Sequence, residues 1–197
     1  MQKLVIASGN TGKLREIGHL LAPLQIEVVP QALFRISEAD EPHCTFIENA
    51  LAKARHACEQ TGLPSLADDS GICVNALNGN PGVLSARYAG EPKSDERNNR
   101  KLVEVLFDQA DRKAHYYCVM VLVRHPADPQ PIVADASWYG EIILEPRGQG
   151  GFGYDPYFFL QELGKTAAEL PMEQKNQISH RGKTLARLVE RIKEETL

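Results

Sequence analysis

Two adjacent carboxylates, Asp68 and Asp69, lie in the segment ADDSG, directly after a short apolar stretch. Paired carboxylates can bind Mg²⁺ through one or two oxygens and can orient a water molecule for attack. On an extended backbone neighbouring side chains point to opposite sides, so only one of the two is expected to enter a site directly. A turn capped by Asp and Ser explains the same letters, and the pattern alone leaves both interpretations open.

A glycine-containing turn at residues 8–13 is the second candidate, because it lies between an apolar strand pattern and a helical one. Glycine lets the backbone approach an anion closely, and the first amides of a helix attract negative charge. Lys13 lies in the first helical turn, within reach of a phosphate. The segment is too short for a Walker A loop and has Leu14 where that motif has Ser or Thr, so a P-loop is excluded. An ordinary strand-to-helix turn with a solvated lysine remains the alternative.

A predicted helix at 45–60 carries Asn49 and Lys53 four residues apart. They lie on the side opposite the apolar stripe, which consists of Ile47, Leu51, Ala54 and Cys58. A solvated face is the simpler interpretation of this pair. The acidic loop residues Asp40 and Glu41 need no functional explanation by themselves.

Residues 148–156 place four glycines around Phe152, and this backbone can lie against a flat ligand while the ring stacks on a base. A hairpin loop with its aromatic side chains packed in the core is the alternative. Further along, His180 and Arg181 follow Ser179, which is a suitable helix cap, and Lys175 precedes them. Such a His–Arg pair is most often a surface feature.

Strand and helix patterns alternate along the chain, and this order predicts an α/β fold. A helix at 11–21 lies between strands at 4–8 and 26–29. The helix that begins after Ser94 is expected to bury Leu102, Val105 and Leu106. Other helices are predicted at 45–60 and from residue 179, and other strands at 65–67, 72–74, 114–124, 132–139, 142–144 and 157–160.

The chain has 197 residues, of which 43% are hydrophobic, and a net charge of −4. This charge argues against non-specific binding to DNA or RNA, which favours basic proteins. The four cysteines show no metal-ligand spacing, and we expect buried thiols without disulfides. No stretch has the apolar length of a signal peptide or a membrane span, so a cytoplasmic protein without membrane contact is expected.

Six segments in order resemble the inosine triphosphate pyrophosphatase family, and most closely its bacterial RdgB-like dITP/XTP pyrophosphatases. They are SGNTGK (8–13), TFIENALAKA (45–54), ADDSG (67–71), PGVLSARYAG (81–90), GGFGYDP (150–156) and SHRG (179–182). The resemblance covers essentially the whole chain. It implies a single domain over residues 1–197, an elongated curved mixed β-sheet flanked by helices, two lobes with a central substrate cleft, and a homodimer.

The resemblance also implies the activity: Mg²⁺-dependent hydrolysis of XTP, dITP and ITP to a monophosphate and pyrophosphate. Asp69 is implied as catalytic base and metal ligand, Glu41 as the second ligand and Asp68 as support. The implied substrate-binding residues are Ser8, Gly9, Asn10, Thr11, Gly12, Lys13, Lys53, Ser70, Phe152, Gly153, Tyr154, Asp155, Lys175, His180 and Arg181.

Two other functions compete with this one. A Maf-like pyrophosphatase acting on modified pyrimidines would share fold and chemistry, although the segments GGFGYDP and SHRG argue against it. A nucleotide-sensing module would bind a triphosphate without cleaving it, and the presence of both Asp69 and Lys13 favours catalysis instead.

Overall fold

A computed structural model of the chain describes residues 3–8, 14, 17–18, 21–22 and 26–195. In this part seven strands form one mixed sheet, in the order β2-β1-β3-β4-β5-β6-β7. β1 pairs in parallel with β2 and β3, whereas β6 pairs antiparallel with β5 and β7. The strands are β1 (Lys3–Ile6), β2 (Glu27–Pro30), β3 (Ser65–Val74), β4 (Lys113–Val123), β5 (Ile132–Ile142), β6 (Phe158–Leu160) and β7 (Lys165–Thr166). The predicted α/β class with a mixed sheet is confirmed.

The helices with described bounds are α1 (Phe46–Thr61), α2 (Asp95–Leu106), α3 (Met172–Ile178) and α4 (His180–Glu194). Leu14, Ile17 and Leu21 have helical backbone and pack in the core, in agreement with the helix predicted at 11–21. The other residues of that segment lie outside the described part. Ser94 and Ser179 cap α2 and α4 as predicted, because their hydroxyls accept from the amides of Arg97 and Gly182, each at 3.3 Å.

Contacts divide the chain into two compact units, each with its own apolar core. Unit 1 comprises residues 1–69, 118–136 and 183–197, and its core includes Ile6, Leu66 and Leu188. Unit 2 comprises residues 70–117 and 137–182, and its core includes Trp138 and Phe158. The two lobes and the cleft implied by the resemblance stay predictions.

The strand β3 runs without interruption from Ser65 to Val74, so the predicted break at residues 68–71 is wrong. Nearly every residue of this strand is buried, including both aspartates, and the Asx-type turn is excluded. The separate strand predicted at 142–144 is also wrong, because β5 continues through Gly140 to Ile142. A Cβ at Gly140 would lie 2.6 Å from the carbonyl oxygen of Phe159, so glycine permits the close pairing with β6.

The buried faces of α1 and α2 agree only in part with the apolar stripes predicted for them, since Ala54, Cys58, Leu102 and Leu106 are buried as predicted. Ile47 is 45% exposed and Val105 is 39% exposed, whereas Asn49 is buried. In α1 small side chains fill the buried face, namely Ala50, Ala54, Ala57 and Cys58. Small residues let a helix approach its neighbour closely, whereas Ile47 remains at the surface and Leu51 is half-buried.

All four cysteines are free thiols, as predicted. Cys58 and Cys118 are buried and Cys73 is half-buried, but Cys44 is exposed, so the expectation of burial fails there. Among the described residues, no helix combines the length and the apolar character that crossing a membrane requires.

Two arginines of α4 bind the backbone of β5 within unit 1. Arg187 donates to the carbonyl oxygen of Asp135, and Arg191 donates to that of Val133. Residues 133 and 135 are two positions apart on the strand, and the pairing of β5 with β6 that the structure describes is at residues 141 and 142. Within the described residues, the guanidinium groups therefore bind carbonyls on a stretch of β5 outside this pairing.

The connection between β4 and β5 is organised by the buried carboxylate of Asp128. It accepts from the backbone amide of Arg124 at 3.0 Å, from Nε of the same residue at 2.9 Å and from the amide of Gln130 at 2.9 Å. The hydrogen bond from the Arg124 guanidinium, together with these amides, holds the pKa of Asp128 well below its usual range.

We expect Asp128→Asn to lower the free energy of unfolding at neutral pH by about 1.5–3 kcal/mol, because an amide turns a donor toward one of these donors. The folded pKa is depressed, so the carboxylate stabilises above the unfolded value of about 3.9, and this contribution is lost as pH falls below it. Urea unfolding at several pH values should show the difference from wild type shrinking below about pH 4. Asp111→Asn, at an exposed position, is the control; an equal effect there would contradict the assignment.

Candidate active site

The helix α1 begins at a capped turn that fixes its orientation. Thr45 is the N-cap, and its hydroxyl accepts from the amide of Glu48 at 3.3 Å. Asn49 and Lys53 then lie one turn apart. Asn49 is only 1% exposed and the Lys53 side chain 15%, so their interpretation as a solvated face is wrong. This face turns toward Asp69 on β3, which explains its burial.

Lys53 contacts carboxylates from two other segments of unit 1. Its Nζ lies 2.7 Å from Oε1 of Glu41 and 3.2 Å from Oδ1 of Asp69. Asp68 is buried and its charge also acts on Lys53. One ammonium therefore contacts two carboxylates and is influenced by the charge of a third, and the cluster carries an excess of negative charge.

The pKa values of Lys53 and Asp69 are both raised. Burial alone lowers the pKa of Lys53, but Asp69, Glu41 and Asp68 together outweigh it. For Asp69, burial is the largest cause, and the charges of Glu41 and Asp68 add to it, whereas Lys53 acts in the opposite direction. A carboxylate with a raised pKa is a better proton acceptor near neutral pH.

Asn49 holds the loop that carries Glu41. Its Oδ1 accepts from the amide of His43 at 3.0 Å, and its Nδ2 donates to the carbonyl of the same residue at 3.1 Å. The same Nδ2 lies 3.5 Å from Oδ2 of Asp69. Both backbone groups of His43 are thus bound to α1, which constrains the loop that carries Glu41.

The oxygen-only donor set of Glu41 and Asp69 suits a hard cation such as Mg²⁺. Among the described residues no group of three or more His, Cys, Asp and Glu has metal-binding geometry. A cation here would take few protein ligands, and water or phosphate oxygens would complete its coordination. Mg²⁺ commonly binds in this manner, so the residues fit it.

A second group of predicted residues meets in unit 2, around the loop after Gly148. Gly151 has a φ of +74°, and a Cβ there would lie 2.0 Å from Oδ2 of Asp155. Glycine is therefore required both by the backbone and by the carboxylate that folds back on it. The loop leaves Phe152 56% exposed, so the alternative of an aromatic packed in the core is wrong for this ring.

Asp155 is buried and joins three parts of unit 2. Its Oδ2 accepts from the amide of Phe152 at 2.9 Å and forms an ion pair with Lys175, and its Oδ1 lies 3.4 Å from the hydroxyl of Tyr116. The Nζ of Lys175 lies 5.3 Å from the centre of the Phe152 ring, and Cζ of Arg181 lies 5.9 Å from it. Two cations thus flank an exposed aromatic ring.

His180 and Arg181 are both buried at the start of α4, so their interpretation as a surface pair is wrong. The ring of His180 stacks on Tyr116 at 4.7 Å with an interplanar angle of 7°. Arg181 donates from Nη2 to the hydroxyl of Ser70 at 3.2 Å. A Cβ at Gly182 would lie 1.6 Å from the carbonyl oxygen of Asn176, so this glycine allows α3 and α4 to meet.

Each unit thus assembles part of the predicted set. Glu41, Lys53, Asp68 and Asp69 meet in unit 1, and the groups around Phe152 meet in unit 2. Tyr154 is buried and its hydroxyl donates to the carbonyl of Ser85 at 2.7 Å, and Ser8 is half-buried. The remaining residues of the predicted phosphate turn, Gly9, Asn10, Thr11, Gly12 and Lys13, lie outside the described residues.

Comparison with known proteins identifies the family. A family model described as the Ham1 family matches residues 4–191. The chain belongs to the Ham1 family. It is 71% identical to a dITP/XTP pyrophosphatase of Nitrosomonas europaea, over 98% of this chain and 96% of the relative. It is 62% identical to a dITP/XTP pyrophosphatase of Ralstonia nicotianae, over 98% of both chains.

A solved Ham1 structure also matches this member of the family. The HAM1 protein from Coxiella burnetii superposes with a TM-score of 0.95 at 47% identity, over 98% of this chain and all of that one. The resemblance to dITP/XTP pyrophosphatases found in the sequence is confirmed by these relatives.

The effect of removing the positive charge of Lys53 from the carboxylate cluster can be predicted for this Ham1-family chain. We expect Lys53→Met to raise the pKa of Asp69 further, because Lys53 is the group that lowers it. The variant should lose about 3 kcal/mol of stability at about pH 8, since buried carboxylates remain uncompensated. A raised folded pKa disfavours the native state at high pH, so stability should recover as pH falls through it.

A ¹³C titration of the Asp69 carboxyl and unfolding measurements at about pH 8 and pH 5 test this expectation. Lys3→Met removes an exposed lysine that lies 3.9 Å from Glu27 in the same unit, and serves as the control. An unchanged or lowered pKa of Asp69 in Lys53→Met would refute the electrostatic account.

Proposed function

We propose that the protein hydrolyses non-standard purine nucleoside triphosphates, namely XTP, dITP and ITP, to the monophosphate and pyrophosphate. The observation that carries the proposal is the buried cluster in which Lys53 lies between Glu41 and Asp69. Its oxygens suit a divalent cation, its ammonium suits a phosphate, and Asp69 has the raised pKa of a general base. The names of the relatives agree with this activity.

The cation proposed for the site is Mg²⁺, held by Glu41 and Asp69, with Asp68 in support. Bound there, it supplies neutralisation of phosphate charge and activation of water. Asp69 takes the proton of the attacking water, and attack at the α-phosphorus releases pyrophosphate. Lys53 contributes positive charge to the phosphate oxygens. Residues 8–13, with Lys13, complete the proposed triphosphate site.

The base is proposed to bind in unit 2. Phe152 offers an exposed ring for stacking, while Lys175 and Arg181 supply positive charge beside it. Hypoxanthine and xanthine present O6 as an acceptor, which suits the guanidinium of Arg181, whereas adenine presents an amino donor at the same position. A site built on hydrogen bonds rejects a mispaired analogue strongly.

Nucleotide pools are cytoplasmic, and we propose the same location and a homodimeric state for this enzyme. Light scattering in solution tests the second of these proposals. The Maf-like activity and the nucleotide sensor remain the competing functions, and the following assay separates all three.

Purified protein with ITP and Mg²⁺ should release one pyrophosphate per IMP, without IDP as an intermediate. Asp69→Asn should lower turnover at least about a hundredfold, since it removes the general base. Release of phosphate with accumulation of IDP would place attack at the γ-phosphorus and refute the mechanism. Preference for pyrimidine triphosphates would indicate a Maf-like enzyme, and binding without turnover would indicate a sensor.

Base selection is tested by Arg181→Ala and Phe152→Ala. Losing one charge-assisted hydrogen bond costs roughly 1.5–3 kcal/mol, so Arg181→Ala should lower kcat/KM for ITP by about one to two powers of ten and change that for ATP far less. Phe152→Ala should weaken ITP and ATP together, because stacking tolerates any base. Ser70→Ala keeps Arg181 while removing the hydroxyl it contacts, and shows whether that hydroxyl orients the guanidinium. Equal losses for ITP and ATP in Arg181→Ala would assign discrimination to other groups.

A further inference from the structure

The exposed ring of Phe152 is attached to a backbone that is held on both sides. The amide of Phe152 donates to Asp155 at 2.9 Å. The next residue, Gly153, donates from its amide to Oδ2 of Asp95 at 2.7 Å and accepts at its carbonyl from Nδ2 of Asn99 at 2.8 Å. Both backbone groups of Gly153 are therefore bound by side chains of α2.

The start of α2 explains why these two side chains reach the same residue. Ser94 caps the helix and fixes its first turn. Asp95 and Asn99 are four residues apart, so they lie on one face, one turn above the other. At this spacing Asp95 reaches the amide of Gly153 and Asn99 reaches its carbonyl oxygen. The carboxylate of Asp95 accepts a hydrogen bond from the backbone N–H, and the amide group of Asn99 donates one to the backbone carbonyl oxygen. Each side chain thus matches the hydrogen-bonding role of the backbone group that it contacts.

Asn99 differs from its neighbour Asn98 in how its amide group is used. Asn98 is fully engaged: its Oδ1 accepts from Ala89, and its Nδ2 donates to Ser85 and Ala86. Among the described residues, by contrast, Oδ1 of Asn99 is buried and has no hydrogen-bond partner. A buried acceptor without a partner is destabilising, so the Nδ2 contact with Gly153 is retained at a cost to folding.

We propose that Asp95 and Asn99 are positioning residues for base binding, which hold the Phe152 ring in a fixed orientation for stacking on the purine. The inference rests on the proposed function. The two residues act through the loop, and neither needs to touch the nucleotide. A ring held before the ligand arrives loses little conformational entropy on binding, and this preorganisation strengthens stacking for every base.

The kinetic consequence follows from the separate roles proposed for the two groups, since the loop of Phe152 binds the base and the carboxylate cluster carries the chemistry. Loosening the ring weakens ground-state and transition-state binding alike, which raises KM and leaves kcat unchanged. For the loss of one hydrogen bond we expect KM for ITP and for ATP to rise about three- to tenfold.

Asn99→Leu and Asn98→Leu form a matched pair on adjacent positions of one helix. Leucine has nearly the shape of asparagine and removes all its hydrogen bonds. Asn98→Leu should destabilise the protein more, because three satisfied bonds are lost, whereas Asn99→Leu also removes an unsatisfied oxygen. KM should show the reverse order, with the rise confined to Asn99→Leu. A purely structural role for Asn99 would make KM follow stability.

A double-mutant cycle with Phe152→Ala decides whether Asn99 acts through the ring. In the Phe152→Ala background, Asn99→Leu should change KM by less than about twofold, because there is no ring left to position. Full additivity of the two effects would overturn the proposal, and so would an unchanged KM in the single variant. Asp95→Asn should repeat the Asn99→Leu result, since it weakens the other bond to Gly153.

Hydrogen exchange provides a readout that needs no nucleotide. The amide of Gly153 should exchange faster in Asp95→Asn and in Asn99→Leu than in Asn98→Leu. Unchanged protection would overturn the positioning role even in an active enzyme. If the wild-type protein does not cleave ITP, the proposed function fails instead, and the exchange rates report separately on how the loop is held.

Discussion

A lysine ammonium buried among carboxylates is the interaction on which the site in unit 1 depends. Taking several charges out of water is costly, and mutual attraction compensates only when the geometry is held closely. Each charged residue lies on an element that restricts its position. Asp69 is on a central strand, Lys53 is on a capped helix, and Glu41 is on a loop that Asn49 binds. Small side chains on the buried face of α1 allow that helix to pack closely against the elements around it.

In unit 2, hydrogen bonds from side chains to the backbone hold the loop that carries Phe152. Its loop must expose an aromatic ring, which by itself favours disorder or collapse onto the core. Asp155 and the polar face of α2 bind the loop from within, and the stack of His180 on Tyr116 fixes the neighbouring start of α4. In unit 1 the side chain of Asn49 binds both backbone groups of His43, and in unit 2 Asp95 and Asn99 together bind both backbone groups of Gly153, so the loops that carry Glu41 and Phe152 are supported by helices.

Sequence patterns predicted the elements and the family but not the burial of polar residues. The caps Ser94 and Ser179 are predicted correctly because capping is local, and the alternation of strand and helix predicts the α/β class. Asn49 and Lys53 were read as solvated because helical periodicity ranks residues by hydropathy, whereas their burial depends on Asp69, twenty and sixteen residues away. The break predicted in β3 failed for the same reason: Asp and Ser favour turns locally, and tertiary partners override that preference.

The arginines of α4 that bind the carbonyls of Val133 and Asp135 affect how this stretch of β5 can pair with another chain. An uncovered strand edge offers hydrogen-bonding groups to any extended chain and so templates aggregation. Here two carbonyls on that stretch are already occupied by charged groups, which a second strand would have to displace before pairing. The arginines of α4 therefore make this stretch of β5 less available for pairing with another strand, whatever reaction the protein performs.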